Sequence, residues 1–69
     1  MKIGFIGSGN MGGAIARGIV KSSVVKGEEV FLYDVNPAAS EALARDIGGK
    51  AVKTAAELTD AAQIFVLAV

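Results

Sequence analysis

Cysteine and histidine are both absent from this chain of 69 residues. Their absence excludes a disulfide framework, an ordinary zinc site and any catalytic nucleophile that depends on a histidine base. Lysine and arginine together number seven, the acidic residues also number seven, and no run of basic residues occurs. The charge pattern therefore gives no support for nucleic acid or an anionic membrane surface as a partner.

Long hydrophobic runs are also missing. No apolar segment approaches the ~20 residues that a membrane-spanning helix requires, and glycines interrupt the short apolar run at the start. We therefore expect a cytoplasmic protein. The chain is nevertheless apolar, with 52% hydrophobic residues and a mean hydropathy of +0.51. A single small domain of this length buries only roughly 60% of its unfolded surface, and its composition favours part of a buried parallel sheet.

A glycine-rich segment near the start organises the rest of the chain. The apolar run Ile3–Ile6 leads into Gly7-x-Gly9-x-x-Gly12, and helical periodicity follows at once. In dinucleotide-binding folds Gly7 would permit the tight turn, Gly9 would let the backbone approach a pyrophosphate, and Gly12 would allow close helix packing. The first N–H groups of the following helix would face the phosphates. The motif alone leaves open a glycine-rich turn in another kind of α/β protein.

Asp34 lies 22 residues beyond Gly12, at the end of a second apolar run. A carboxylate in this position typically accepts hydrogen bonds from the adenosine ribose hydroxyls, which favours NAD(H). It would repel the 2′-phosphate of NADP(H), and no arginine at position 35 or 36 compensates. An alternative remains open, in which Asp34 caps the turn that contains Asn36 and Pro37.

Strands and helices are predicted to alternate along the chain. Strands are expected at Ile3–Ile6, Val30–Tyr33, 50–53 and 63–69. Three helices are expected: the first at about Asn10–Lys21, the second from Asn36-Pro37 to Gly48, and the third from a capping box at 54–57. The βαβαβαβ order predicts an α/β fold of the Rossmann type. Its doubly wound parallel sheet is expected to have the strand order 3-2-1-4.

The apolar spacing also predicts which residues are buried. The first helix is expected to bury Met11, Ala14, Ile15, Gly18 and Ile19, and the second Ala39, Leu43 and Ile47, with a Glu41–Arg45 pair outside. The strand at 63–69 is expected to be buried on both faces. Because the chain stops at the end of that strand, we expect it to be the N-terminal part of a longer protein.

Residues 1–12 resemble the opening of the pyrroline-5-carboxylate reductase family, with Gly-Asn-Met at positions 9–11 as the distinguishing detail, and residues 66–69 also match. The resemblance implies that residues 1–69 are a truncated N-terminal NAD(P)-binding domain. A C-terminal helical domain for dimerisation and substrate binding would lie outside this chain. The implied activity, in proline biosynthesis, is hydride transfer from NADPH or NADH to 1-pyrroline-5-carboxylate, giving L-proline. The full-length protein would be a homo-oligomer.

The same resemblance implies the cofactor contacts. The pyrophosphate would be lined by Ile6, Gly7, Ser8, Gly9, Asn10 and Met11, the adenosine ribose by Asp34 and Asn36, and the nicotinamide half by Ala68 and Val69. No catalytic residue and no metal ligand is expected. Five lysines are interpreted as solvated surface charges: Lys2, Lys21, Lys26, Lys50 and Lys53.

Other functions remain open on the sequence. A β-hydroxyacid dehydrogenase or a deazaflavin-dependent NADP reductase would keep the fold and change the substrate. A non-catalytic nucleotide-sensing module would keep the cofactor and lack turnover. The choice between NADH and NADPH is also open, because Asp34 favours NADH whereas the habit of the family favours NADPH.

Overall fold

The computed structural model describes residues 1–7 and 10–67, with the backbone alone at positions 10 and 11. Strands and helices alternate through this part of the chain, as predicted. They are β1 (Ile3–Ile6), α1 (Asn10–Lys21), a 3₁₀ helix (Gly27–Glu29), β2 (Val30–Tyr33), α2 (Pro37–Ile47), β3 (Lys50–Ala51), α3 (Ala55–Ala61) and β4 (Ile64–Leu67). None of these helices is long and apolar enough to cross a membrane.

The four strands form one parallel sheet in the order β3-β2-β1-β4. In the register of the central strand β1, Ile3 lies opposite Val30 on one side and Ile64 on the other. The predicted α/β fold and strand order are therefore confirmed. β3 is shorter than predicted, but the N–H of Val52 still donates to the carbonyl of Leu32 at 2.8 Å.

Helices cover both faces of the sheet. Phe5 and Leu32 are fully buried at the centre of the face that α1 and α2 cover, in one cluster with Ala16 and Leu43. Gly4 points to the other face because successive side chains alternate along a strand. A Cβ at Gly4 would lie only 2.9 Å from Cγ of Leu58. The backbone of β1 thus lies close to α3 on that second face.

The predicted buried stripe of α1 is wrong. It comprised Met11, Ala14, Ile15, Gly18 and Ile19. Ile15 is 39% exposed, and Ala14 and Gly18 are also exposed, whereas Gly12, Gly13 and Ala16 are buried. The side chain of Met11 lies outside the described residues, and Ile19 is half-buried. The buried face of α1 thus consists of small residues, to which hydrophobic periodicity gives little weight.

The ends of α2 follow the predicted capping pattern. The side chain of Asn36 accepts a hydrogen bond from the N–H of Ala38 at 3.2 Å, with Pro37 as the first helical residue. Gly48 ends the helix with φ 73°, in the left-handed region that glycine adopts readily. Leu43 is buried as predicted. Ala39 and Ile47 are only half-buried, because the face against the sheet is shifted to include Ser40 and Ala44.

β4 is the edge strand of the described sheet, and the prediction that it is buried on both faces is wrong. Phe65 is 44% exposed and Leu67 is 72% exposed, while Val66 is half-buried against the core. Within residues 1–7 and 10–67 only β1 pairs with this strand. The described part of the chain therefore leaves some apolar side chains of β4 uncovered.

Candidate cofactor site

The turn between β1 and α1 is built on Gly7. Its φ of 94° lies in the left-handed region, and its N–H donates to the carbonyl of Tyr33 at 2.8 Å. This bond joins the end of β1 to the end of β2, and α1 begins three residues later at Asn10. The predicted turn at Gly7 is confirmed, and Gly12 is buried, which agrees with the close packing predicted there.

Several predicted phosphate contacts lie outside the described residues: Ser8, Gly9 and the side chains of Asn10 and Met11. The same holds for the predicted nicotinamide contacts Ala68 and Val69. The described neighbours of the loop are Ile6 and Gly7 before it and the backbone of α1 after it. α1 begins directly after the glycine turn, and a helix N-terminus in this position is a place that can receive an anion. The contacts themselves stay predictions.

Asp34 follows β2 directly and holds the next turn in place. Its Oδ1 accepts a hydrogen bond from the N–H of Asn36 at 2.8 Å. The alternative role for Asp34, capping the turn into α2, is therefore confirmed. This role fixes the carboxylate at the carboxyl end of β2, beside the turn at Gly7, and is compatible with a ribose contact. That contact, and the one assigned to Asn36, stay predictions.

A cavity of about 310 Å³ opens beside Asp34. Its lining consists of Asp34, Pro37, Ser40, Glu41, Ala51, Val52 and Lys53. It lies at the carboxyl ends of β2 and β3, where parallel α/β sheets bind their ligands. Its volume is at the low end of the ~300–1,000 Å³ typical of small-molecule sites. A space of this size could take the adenosine half of a dinucleotide, and the ribose contact predicted for Asp34 would then lie at its wall.

The walls of the cavity combine apolar and charged groups. Pro37, Ala51 and Val52 supply apolar surface of the kind on which a base can pack. The hydroxyl of the buried Ser40 donates to the carbonyl of Pro37 at 3.1 Å, so it is satisfied within α2. Asn36 is not among the described residues that line the cavity.

Sequence reasoning found Asp34 and missed the other lining residues. Lys53 is exposed, in agreement with the predicted solvated charge, whereas the predicted partner of Glu41 is Arg45. Within the described residues Glu41 and Arg45 form no ion pair, and Glu41 lines the cavity instead. Lys53 is the last residue of the predicted strand 50–53, and this position at the carboxyl end of a parallel strand was the signal that could have placed it here.

The other charged contacts belong to the scaffold. Arg17 donates to Asp46 at 2.8 Å and joins α1 to α2. The amino group of Met1 donates to Glu29 at 2.6 Å and, with the N–H of Lys26 at 3.0 Å, holds the pKa of Glu29 below its ordinary value of 4.5. Glu29 precedes β2, so this ion pair lies at the amino ends of the strands, and the cavity lies at their carboxyl ends.

Two further observations limit the chemistry of the described part. Among residues 1–7 and 10–67, no group of three or more His, Cys, Asp or Glu is arranged to hold a metal ion. Thr54 caps α3 as predicted, since its Oγ1 accepts from the N–H of Glu57 at 3.1 Å, and its hydroxyl donates to Oε1 of Glu57 at 3.4 Å.

Comparison with known proteins gives consistent results. The model of the family described as "NADP oxidoreductase coenzyme F420-dependent" matches residues 2–69. The pyrroline-5-carboxylate reductases of Escherichia coli (strain K12) and Shigella flexneri are each 40% identical to it over 68 residues, which is 99% of this chain and 25% of theirs. The chain therefore spans about a quarter of the length of these curated relatives. The resemblance predicted from residues 1–12 is confirmed.

Proposed function

The chain belongs to the NADP oxidoreductase, coenzyme F420-dependent family, and from this premise we propose that it is the cofactor domain of a pyrroline-5-carboxylate reductase. Residues 1–69 would bind NADH or NADPH at the carboxyl edge of the sheet. Further residues would provide the substrate pocket and the helical contacts of a homo-oligomer. The resemblance of this segment to the two reductases supports the choice of substrate.

One observation supports the cofactor proposal above all others. The N–H of Gly7 donates to Tyr33, and Tyr33 directly precedes Asp34. This bond brings the glycine turn and the cavity beside Asp34 to neighbouring positions at the carboxyl ends of the strands. A dinucleotide has its pyrophosphate next to its adenosine ribose, so both parts would find their sites without a change in the fold.

The chemistry explains why this chain needs no nucleophile. When bound, the nicotinamide supplies the hydride, and the protein binds and orients its partners. The residues of this chain would hold the pyrophosphate at the start of α1 and the adenosine in the cavity. The absence of histidine and cysteine is therefore compatible with an oxidoreductase. The acid that protonates the imine nitrogen and the groups that bind the substrate are assigned to the rest of the protein.

The test is a reductase assay on the full-length protein. Oxidation of NADH and of NADPH would be followed with 1-pyrroline-5-carboxylate, and binding of each cofactor would be measured in parallel by fluorescence. We expect binding of at least one cofactor and turnover that depends on the imine. Reduction of NAD⁺ or NADP⁺ by a β-hydroxyacid, or oxidation of NADPH by a deazaflavin, would assign another substrate. Binding without turnover of any of these would indicate a sensing module, and absence of binding would refute the cofactor site.

A further inference from the structure

We propose that Glu41 and Lys53 determine cofactor specificity together with Asp34, and that their combined charge favours NADH over NADPH. This inference rests on the proposed function, because it concerns the adenosine end of the same cofactor site. Only the role of Asp34 was anticipated from the sequence. Glu41 and Lys53 come from two other elements, and the cavity places them around the space that the adenosine ribose would occupy.

The three charged residues line one cavity of about 310 Å³. Asp34 is at the end of β2, Glu41 is in the second turn of α2, and Lys53 is two residues beyond β3. Asp34 is half-buried, and its position is fixed by its bond to the N–H of Asn36. Glu41 and Lys53 are exposed at the rim, where their side chains can reach a ligand and remain hydrated.

The charges of Glu41 and Lys53 are not neutralised by partners in the described part of the chain. The ion pairs of the described residues include Met1–Glu29 and Arg17–Asp46, and neither of these includes Glu41 or Lys53. The charges of Glu41 and Lys53 therefore remain to act on whatever occupies the cavity.

The charge balance of the lining then decides between the two cofactors. Two carboxylates and one ammonium group give the lining one net negative charge. NADPH would bring a phosphate monoester of about −1.5 to −2 charge at pH 7 to this place. NADH would bring a neutral hydroxyl. Glu41 thus opposes NADPH in addition to Asp34, while Lys53 reduces the repulsion and lets some NADPH bind. Solvent at the rim screens both effects, so each is modest.

The test measures dissociation constants of NADH and NADPH for the full-length protein and two variants. Glu41→Gln should tighten NADPH binding by about three- to tenfold, and Lys53→Gln should weaken it by a similar factor, the size expected for one partly screened charge. NADH affinity should change less than about twofold in both, because the ribose hydroxyl is neutral. The change in the NADPH-to-NADH ratio should shrink as the salt concentration rises.

Matched controls remove charges near the amino ends of the strands, on the side of the molecule away from the cavity. Glu28→Gln and Lys21→Gln alter exposed residues before β2 and at the end of α1, and both should leave the ratio of affinities unchanged. Circular dichroism would report folding, and Glu41→Lys provides a second variant with a larger expected shift towards NADPH.

Three outcomes would overturn the inference. The first is a ratio that stays within about twofold of the wild type in Glu41→Lys and Lys53→Gln, below the effect of one screened charge. The second is an equal change in the affinities for NADH and NADPH, which would indicate packing against adenosine instead of charge. The third is a wild-type protein that binds neither cofactor, which refutes the proposed function itself and is recognised before any variant is made.

Discussion

At the scale of single residues, the backbone of Gly7 is constrained in two ways. Its φ of 94° is unfavourable for a residue with a Cβ, and its N–H bond to Tyr33 fixes the turn to β2. We expect Gly7→Ala to weaken binding of both cofactors by about tenfold, because roughly 1–2 kcal/mol of strain would displace the turn.

A matched control for this prediction is Gly18→Ala in the same chain. A Cβ at Gly18 meets no heavy atom within 4 Å, and the position is exposed on α1. Cofactor binding should be unchanged in this variant, as measured by fluorescence titration of the full-length protein. Equal affinities in Gly7→Ala and the wild type would show that the turn geometry does not determine phosphate binding.

Asp34 has a structural role and a predicted role in cofactor choice, and one substitution separates them. A serine at position 34 can still accept the hydrogen bond from the N–H of Asn36, so the turn should persist. The loss of the negative charge should raise the NADPH-to-NADH ratio of kcat/KM by roughly tenfold. Asp60→Ser, at an exposed position of α3, is the control. An unchanged ratio in Asp34→Ser would contradict the assignment of this carboxylate to the ribose.

At the scale of elements, the packing of α3 on β1 depends on Gly4. An added Cβ would lie 2.9 Å from Cγ of Leu58 and 3.1 Å from Cβ of Ala62. Leu58 is only 1% exposed, so its side chain has little room to move. We expect Gly4→Ala to lower the free energy of unfolding by about 1–3 kcal/mol, the usual cost of overpacking.

Urea unfolding of the full-length protein would measure this effect. Gly18→Ala is again the control, and it should raise the free energy of unfolding by up to about 1 kcal/mol because alanine favours an exposed helix position. The two alanine substitutions are thus expected to have opposite signs. A Gly4→Ala variant as stable as the wild type would mean that α3 can shift away from β1 at little cost.

The elements also show how far the sequence predicts this structure. Strand order and helix caps follow from local signals, such as the Asn36-Pro37 start of α2 and the Thr54 cap of α3. The buried face of α1 does not, because Gly12, Gly13 and Ala16 are buried although they add little hydrophobicity. Small residues on a buried face permit two backbones to approach each other closely. The periodicity of apolar side chains gives no information about that distance.

The complete set of residues that line the cavity could not be predicted, for a related reason. Glu41 and Lys53 belong to different elements, and only the placement of α2 beside the end of β3 brings them to one space. Asp34 could be found because its distance in sequence from the glycine motif is characteristic of the fold. The residues that share a cavity with it depend on how the third strand and its following loop are positioned.

At the scale of the whole molecule, β4 leaves an apolar edge. Ile64 and Phe65 are 43% and 44% exposed, and Leu67 is 72% exposed, in a strand that pairs on one side only within the described residues. Exposed apolar edge strands form hydrogen bonds readily with other chains. The curated relatives are about four times as long as this chain, and we propose that further residues of the full-length protein cover this edge.

This proposal predicts different behaviour for residues 1–69 alone and for the full-length protein. Residues 1–69 should self-associate with rising concentration in sedimentation experiments, and Leu67→Lys should reduce the association because a charge on an edge strand opposes pairing. Val35→Lys is the control, since Val35 is 89% exposed but lies in the turn after β2. In the full-length protein Leu67→Lys should instead lower stability, because the side chain would be buried there. A monomeric 1–69 at all concentrations would show that this edge needs no cover.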